Sequence, residues 1–111
     1  MNKFLSVTLG SLLFLSANAF AYDTLDSALE HANEAVTEGK AGSAQKLAVH
    51  AKAALDDSLT ASIVAKSVSK NHIIEASKSL QDAIDHASLN HVEPATRSSE
   101  EAVAHLSAAK K

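Results

Sequence analysis

"LDSALEHANEAVTEGK", residues 25–40, decides how the rest of the chain reads. Leu25, Ala28, Leu29, Ala32, Ala35 and Val36 recur at three- and four-residue steps, so they share one face of a helix and would scatter over both faces of a strand. The spacing predicts a first helix with Asp23 or Thr24 as N-cap, ending at Gly39, with "GKAG" (39–42) as the turn.

The same period continues outward. Ser43 caps a second helix whose inner face holds Ala44, Leu47, Ala48, Ala51, Ala54 and Leu55, with Leu59 and Ser62 beyond. The polar "SVSKN" (67–71) reads as a central loop. A third helix begins near Asn71 and carries Ile73, Ala76, Leu80, Ala83, Ile84 and Ala87 inward. "SLNHVE" (88–93) is the next turn, and Pro94 fits the first turn of a fourth helix, where a missing N–H costs nothing. That helix presents Ala95, Ala102, Val103, Leu106 and Ala109. "LDSALEHAN" (25–33) also matches "LQDAIDHAS" (80–88), and "HAKAAL" (50–55) corresponds to "SSEEAV" (98–103). The expected fold is all-α: an up-down antiparallel four-helix bundle built from two similar helical hairpins.

Ahead of the helices, Lys3 precedes an apolar run from Phe4 to Leu15 and small-x-small sites at Ala17–Ala19 or Ala19–Ala21. This pattern is that of a secretory signal peptide over residues 1–21, too short in its apolar part for a membrane span. The expected mature domain is 22–111, exported to the periplasm and not attached to a membrane once the signal is removed. Without Lys3 it has 9 basic against 13 acidic residues. No basic stripe exists to neutralise phosphates, so nucleic acid is not an expected partner. The absence of cysteine excludes disulfides, thiolate zinc sites and thiol nucleophiles. No nucleophile elbow, phosphate loop or "HExxH" occurs either, and an enzyme is not expected.

What chemistry remains lies in the six histidines. At about 100° per residue, His31, His50, His86 and His105 each fall roughly 100–120° from the apolar centre of their helix, at the edge of the buried stripe. A bundle brings such edges of neighbouring helices together. Three of these histidines have a carboxylate one turn away on the same face: Glu34 for His31, Asp82 for His86 and Glu101 for His105. Imidazole with carboxylate suits divalent copper, nickel or zinc, copper having the highest intrinsic affinity. Glu30 is a further oxygen donor beside His31. If the edge histidines act together, replacing His31 and His86 by alanine should reduce copper uptake by more than about half while helicity persists. His72 and His91 read as lying at helix starts or in loops. A single histidine with a carboxylate one turn away is also what an ordinary surface pair looks like, contributing ~0.2–0.5 kcal/mol. It is the repetition that favours metal.

"ALEHANEAVTEGKAGSAQKLAVHAKAAL" (28–55), "SLQDAIDHA" (79–87) and "NHVEPATRSSEEAVAHL" (90–106) together resemble the small metal-binding protein family of the bacterial periplasm. The likeness runs from about Leu25 to Leu106. It implies a monomeric periplasmic four-helix bundle that binds several transition-metal ions for buffering or scavenging. The positions that fit the family's histidine repeat are His31, His50, His72, His86, His91 and His105. The family is richer in histidine: Thr37, Asp56, Ser79 and Ser98 stand here where the repeat would allow another. A rival expectation is therefore a metal-independent periplasmic stress or protein-interaction bundle that kept the scaffold and lost ligands.

Overall fold

The computed structural model describes the backbone of residues 17–111 and the side chains of residues 23–111. The basic and apolar parts of the expected signal peptide lie outside these residues. Four helices and no strand occur among the described residues: α1 (Ala17–Lys40), α2 (Ala44–Val64), α3 (Ser67–Ser88) and α4 (Val92–Ala109). They pack as a bundle in which α1 lies most extensively against α2 and α3 against α4. Side-chain bonds join Ser27 to Asp57 between α1 and α2, and Ser69 to the Ala109 carbonyl between α3 and α4. No helix among the described residues is long and apolar enough to cross a membrane.

Alanine makes most of the core. Leu47, Ile73, Leu80 and Leu106 are the large apolar side chains fully enclosed, and Leu25 is almost so. Around them Ala28, Ala32, Ala35, Ala51, Ala54, Ala76, Ala83, Ala95 and Ala102 have no exposed surface. Small side chains let helix backbones approach closely, which places edge residues of one helix within reach of the next. Two hydroxyls are also buried without penalty: Ser58 and Ser99 donate to the carbonyls of Ala54 and Ala95, at 2.7 and 2.9 Å.

Both tight turns are built alike. At the end of α1 the Gly42 N–H donates to Gly39 O and the Ser43 N–H to Glu38 O, at 3.0 and 2.9 Å, with Gly42 at φ 88°. At the end of α3 the Asn90 N–H donates to Ala87 O and the His91 N–H to His86 O, both at 2.9 Å, with Asn90 at φ 60°. Each is a Schellman stop, and glycine and asparagine are the residues that accept its left-handed position most readily. Ser43 then caps α2 as expected, its Oγ accepting from the Lys46 N–H at 3.2 Å.

Four sequence expectations change. First, Asp23 and Thr24 do not begin α1; the helix already runs from Ala17. Second, Gly39 is helical and does not end it. A Cβ there would run into Thr96 Oγ1 and stand 2.8 Å from Leu47 Cδ1, so glycine serves close packing of α1 on α4 and α2. Third, "SVSKN" is not a loop. The α2–α3 connection is only Ala65–Lys66, and Ser67 at φ 55° already opens α3. Fourth, the far half of α2 turns Ser58 and Ala61 inward, leaving Leu59 half exposed. The inward set keeps the alternating four- and three-residue step of Leu47, Ala51 and Ala54, and Leu59 falls off it.

Candidate metal centre

Each of the six histidine rings lies beside another histidine ring. His31 on α1 stacks on His50 of α2, centroids 6.1 Å apart and planes inclined by 24°. His72 on α3 and His105 on α4 are 5.7 Å apart. His86 and His91 face each other across the α3–α4 turn at 6.2 Å. His31 and His86, which the sequence reading joins, belong to different pairs.

Local rules explain the pairs. His31, His50, His72, His86 and His105 are half-buried, as edge positions should be, while His91 is exposed. The His86–His91 pair is a product of the turn itself. A Schellman stop hydrogen-bonds the second residue past the cap to the third residue before it, and these are His91 and His86. The equivalent positions of the first turn hold Ser43 and Glu38, so no histidine pair forms there.

The first pair is distinguished by a carboxylate. Glu34, one turn beyond His31 on α1, reaches both rings: Oε1 is 3.3 Å from His31 Nδ1 and Oε2 is 3.6 Å from His50 Nδ1. All three residues offer ligand atoms within 4.8 Å of one another, and this is the trio of that kind among the described residues. For tetrahedral zinc with bonds of ~2.0–2.1 Å, neighbouring donor atoms stand ~3.3 Å apart, close to the 3.3 and 3.6 Å between the two ring nitrogens and the carboxylate oxygens.

His31 Nδ1 is buried and makes no hydrogen bond, although a carboxylate oxygen lies 3.3 Å away. The separation satisfies an ion pair, but the direction does not suit a ring N–H donating to that oxygen. If Nδ1 carries its lone pair, two acceptors face each other across this gap. A proton or a cation between them relieves that repulsion, and His50 supplies a third donor atom within 4.8 Å of the other two. The residues therefore fit a metal ion held by two imidazole nitrogens and a carboxylate, with side-chain exposures of 35%, 28% and 41% for His31, His50 and Glu34 leaving room for water to complete the shell.

The other carboxylates picked from spacing do not approach their histidines. Among the described residues, neither Asp82 with His86 nor Glu101 with His105 comes within ion-pair distance, and Glu30 makes no such pair either. Asp82 and Glu101 are exposed. Sequence spacing found the His31–Glu34 neighbours; it missed the reach of Glu34 across to His50, which depends on how α1 and α2 are set against each other. It also set His72 at a helix start, whereas His72 lies within α3 opposite His105.

A family model described as small metal-binding protein matches residues 1–109. The chain belongs to that family. No curated protein matches it closely enough to align. For this family member the His31–Glu34–His50 cluster is the place in the described structure with the most complete set of metal-ligating atoms.

Proposed function

We propose that this family member is exported by the signal peptide of residues 1–21. Its mature chain would fold in the periplasm as a monomeric, up-down antiparallel bundle of two hairpins and reversibly hold divalent copper, nickel or zinc. The cross-helix contacts support the arrangement. Positions 27 and 57, 31 and 50, then 39 and 47 meet in the first half; 69 and 109, then 72 and 105 meet in the second. The protein acts as a binder and buffer, not a catalyst. The observation that carries the reading is the buried His31 Nδ1, which lies 3.3 Å from Glu34 Oε1 yet makes no hydrogen bond, with His50 Nδ1 3.6 Å from the other oxygen of the same carboxylate.

The chemistry follows from those donors. Two neutral imidazoles and one carboxylate leave a bound dication with a single net positive charge, a modest cost at a half-exposed site. The order of intrinsic affinities favours Cu(II) over Ni(II) and Zn(II). Protons compete for the same nitrogens, so the ion is released on acidification. Water-filled positions keep exchange fast, which suits buffering better than permanent storage.

Calorimetric titration of the purified protein with Cu(II) and then Zn(II) at neutral pH, in a weakly chelating buffer, tests this. Saturable binding that is weakened in His31→Ala and in His50→Ala, and lost near pH 5 (about the range where imidazoles are protonated), is expected. Absence of saturable binding rejects it.

A second reading, a metal-independent interaction bundle, draws on Leu59, Ile63 and Val68, which stand half or more exposed around the α2–α3 connection. Retained partner capture by a protein lacking His31 and His50 would favour it.

A further inference from the structure

We propose that His72 and His105 form a second metal site, selective for a monovalent d10 ion such as Cu(I) or Ag(I), whereas the Glu34 site takes dications. This inference rests on the reading that the histidine pairs hold metal ions, and it adds a division between them by ionic charge.

The two Nδ1 atoms face each other at 3.5 Å. At most one of them can carry the proton of a hydrogen bond between neutral rings, so at least one lone pair points into the gap. Both rings are half-buried, and the Ser69 Oγ bond to the Ala109 carbonyl, 2.8 Å, ties α3 to α4 about one turn away. Among the described residues, no third histidine, aspartate or glutamate ligand atom joins the two ring nitrogens. Glu75, one turn beyond His72, is engaged with Lys78 at 3.2 Å. Glu101, one turn before His105, makes no ion pair with it among the described residues.

Charge and coordination number then select the ion. The cost of placing an ion in a poorly solvated position grows with the square of its charge, about fourfold from +1 to +2. At the Glu34 site a carboxylate offsets that cost; between His72 and His105 no carboxylate among the described residues does. Divalent ions also want four or more donors, while monovalent d10 ions are satisfied by two nitrogens nearly in line. On the scale of a zinc–imidazole bond, ~2.0 Å, two bonds in line span ~4 Å, about 0.5 Å more than the 3.5 Å between the two Nδ1 atoms. The broad final torsion of histidine allows that. His86 and His91 do not compete on equal terms: His91 is exposed, and no ring nitrogens there approach within hydrogen-bonding distance among the described residues.

Imidazole 1H–15N NMR of the purified protein, titrated with silver nitrate in chloride-free buffer and separately with zinc sulfate, tests the assignment. The first equivalent of Ag(I) should shift the His72 and His105 resonances and leave His31 and His50 in place; Zn(II) should do the reverse. His105→Ala, and independently His72→Ala, should weaken the first Ag(I) at least about tenfold with Zn(II) binding unchanged. Circular dichroism on both variants guards against loss of the fold. First binding of Ag(I) at His31–His50 or at His86–His91, or stronger binding of Zn(II) than of Ag(I) at His72–His105, overturns the proposal. Failure of Zn(II) to bind anywhere, with Ag(I) still at His72–His105, would reject the dication site and leave this one standing.

Discussion

The α1–α2 pair and the α3–α4 pair share one turn design and differ in nearly everything laid upon it. Gly42 and Asn90 occupy the same left-handed position of the two Schellman stops. Counted back from those stops, the first pair has Glu38 and Ser43 at the turn and His31 and His50 one heptad away. The second has His86 and His91 at the turn, Ser79 and Ser98 one heptad away, and His72 and His105 at the second. Beneath them the cores differ too. Leu47 is the large, fully enclosed apolar residue of the first pair, whereas Ile73, Leu80 and Leu106 fill the second. The second pair thus has the thicker core and more histidines, and the first has the carboxylate. One shared backbone device therefore carries different side chains a heptad from the turn, His31 and His50 in the first pair and Ser79 and Ser98 in the second.

The largest expected break is in the core. Leu80→Ala empties a fully buried position in the thicker half and should cost about 2–5 kcal/mol in urea unfolding. If the two halves form one cooperative core, α1 and α2 melt with α3 and α4 in a single transition. Separate transitions would show that the halves are independent.

Zinc sharpens the contrast next. At a free concentration one hundred times its dissociation constant, Zn(II) should stabilise the protein by about 2.7 kcal/mol. Glu34→Gln should lower Zn(II) affinity by about 10–100-fold and remove about 1.3–2.3 kcal/mol of that gain. Glu101→Gln should leave it intact, because Glu101 makes no ion pair with His105.

A smaller effect belongs to the turns. Gly39→Ala adds a methyl where Thr96 and Leu47 already stand, and overpacking of this kind costs about 1–3 kcal/mol despite alanine's better helix propensity. The corresponding position of the second turn already is alanine, Ala87. A more stable Gly39→Ala protein would refute the close approach of α1 to α4. Smallest of all, Asp26→Ala removes the surface pair with Lys110 and should change stability by no more than about 1 kcal/mol.

How much of this was legible without coordinates follows from the range of each interaction. Helix existence and the inner faces of α1, α3 and α4 were readable because the apolar period is local and Ala28, Ala32, Ala76, Ala83, Ala95 and Ala102 obey it. His31–Glu34 was readable for the same reason. The polar run 67–71 misled because serine and lysine signal loops when nothing else is known, yet here they form the exposed start of α3. That error hid the His72–His105 pair. The contact of Glu34 with His50 was beyond sequence spacing, since it depends on the offset between α1 and α2. The two turns set the repeat 48 positions apart, from Gly42 to Asn90. The likeness of "LDSALEHAN" to "LQDAIDHAS", which aligns His31 with His86, is one heptad longer. The His86–His91 pair was in principle readable from Asn90, whose left-handed preference marks the stop that joins them.

The central claim is that Glu34 and two histidines from different helices hold one divalent ion. Electron paramagnetic resonance of the protein loaded with a single equivalent of Cu(II) tests it most directly. Hyperfine coupling to two imidazole nitrogens is expected, falling to one in His50→Ala, with the oxygen-donor signature altered in Glu34→Gln. An unchanged spectrum in both variants would contradict it.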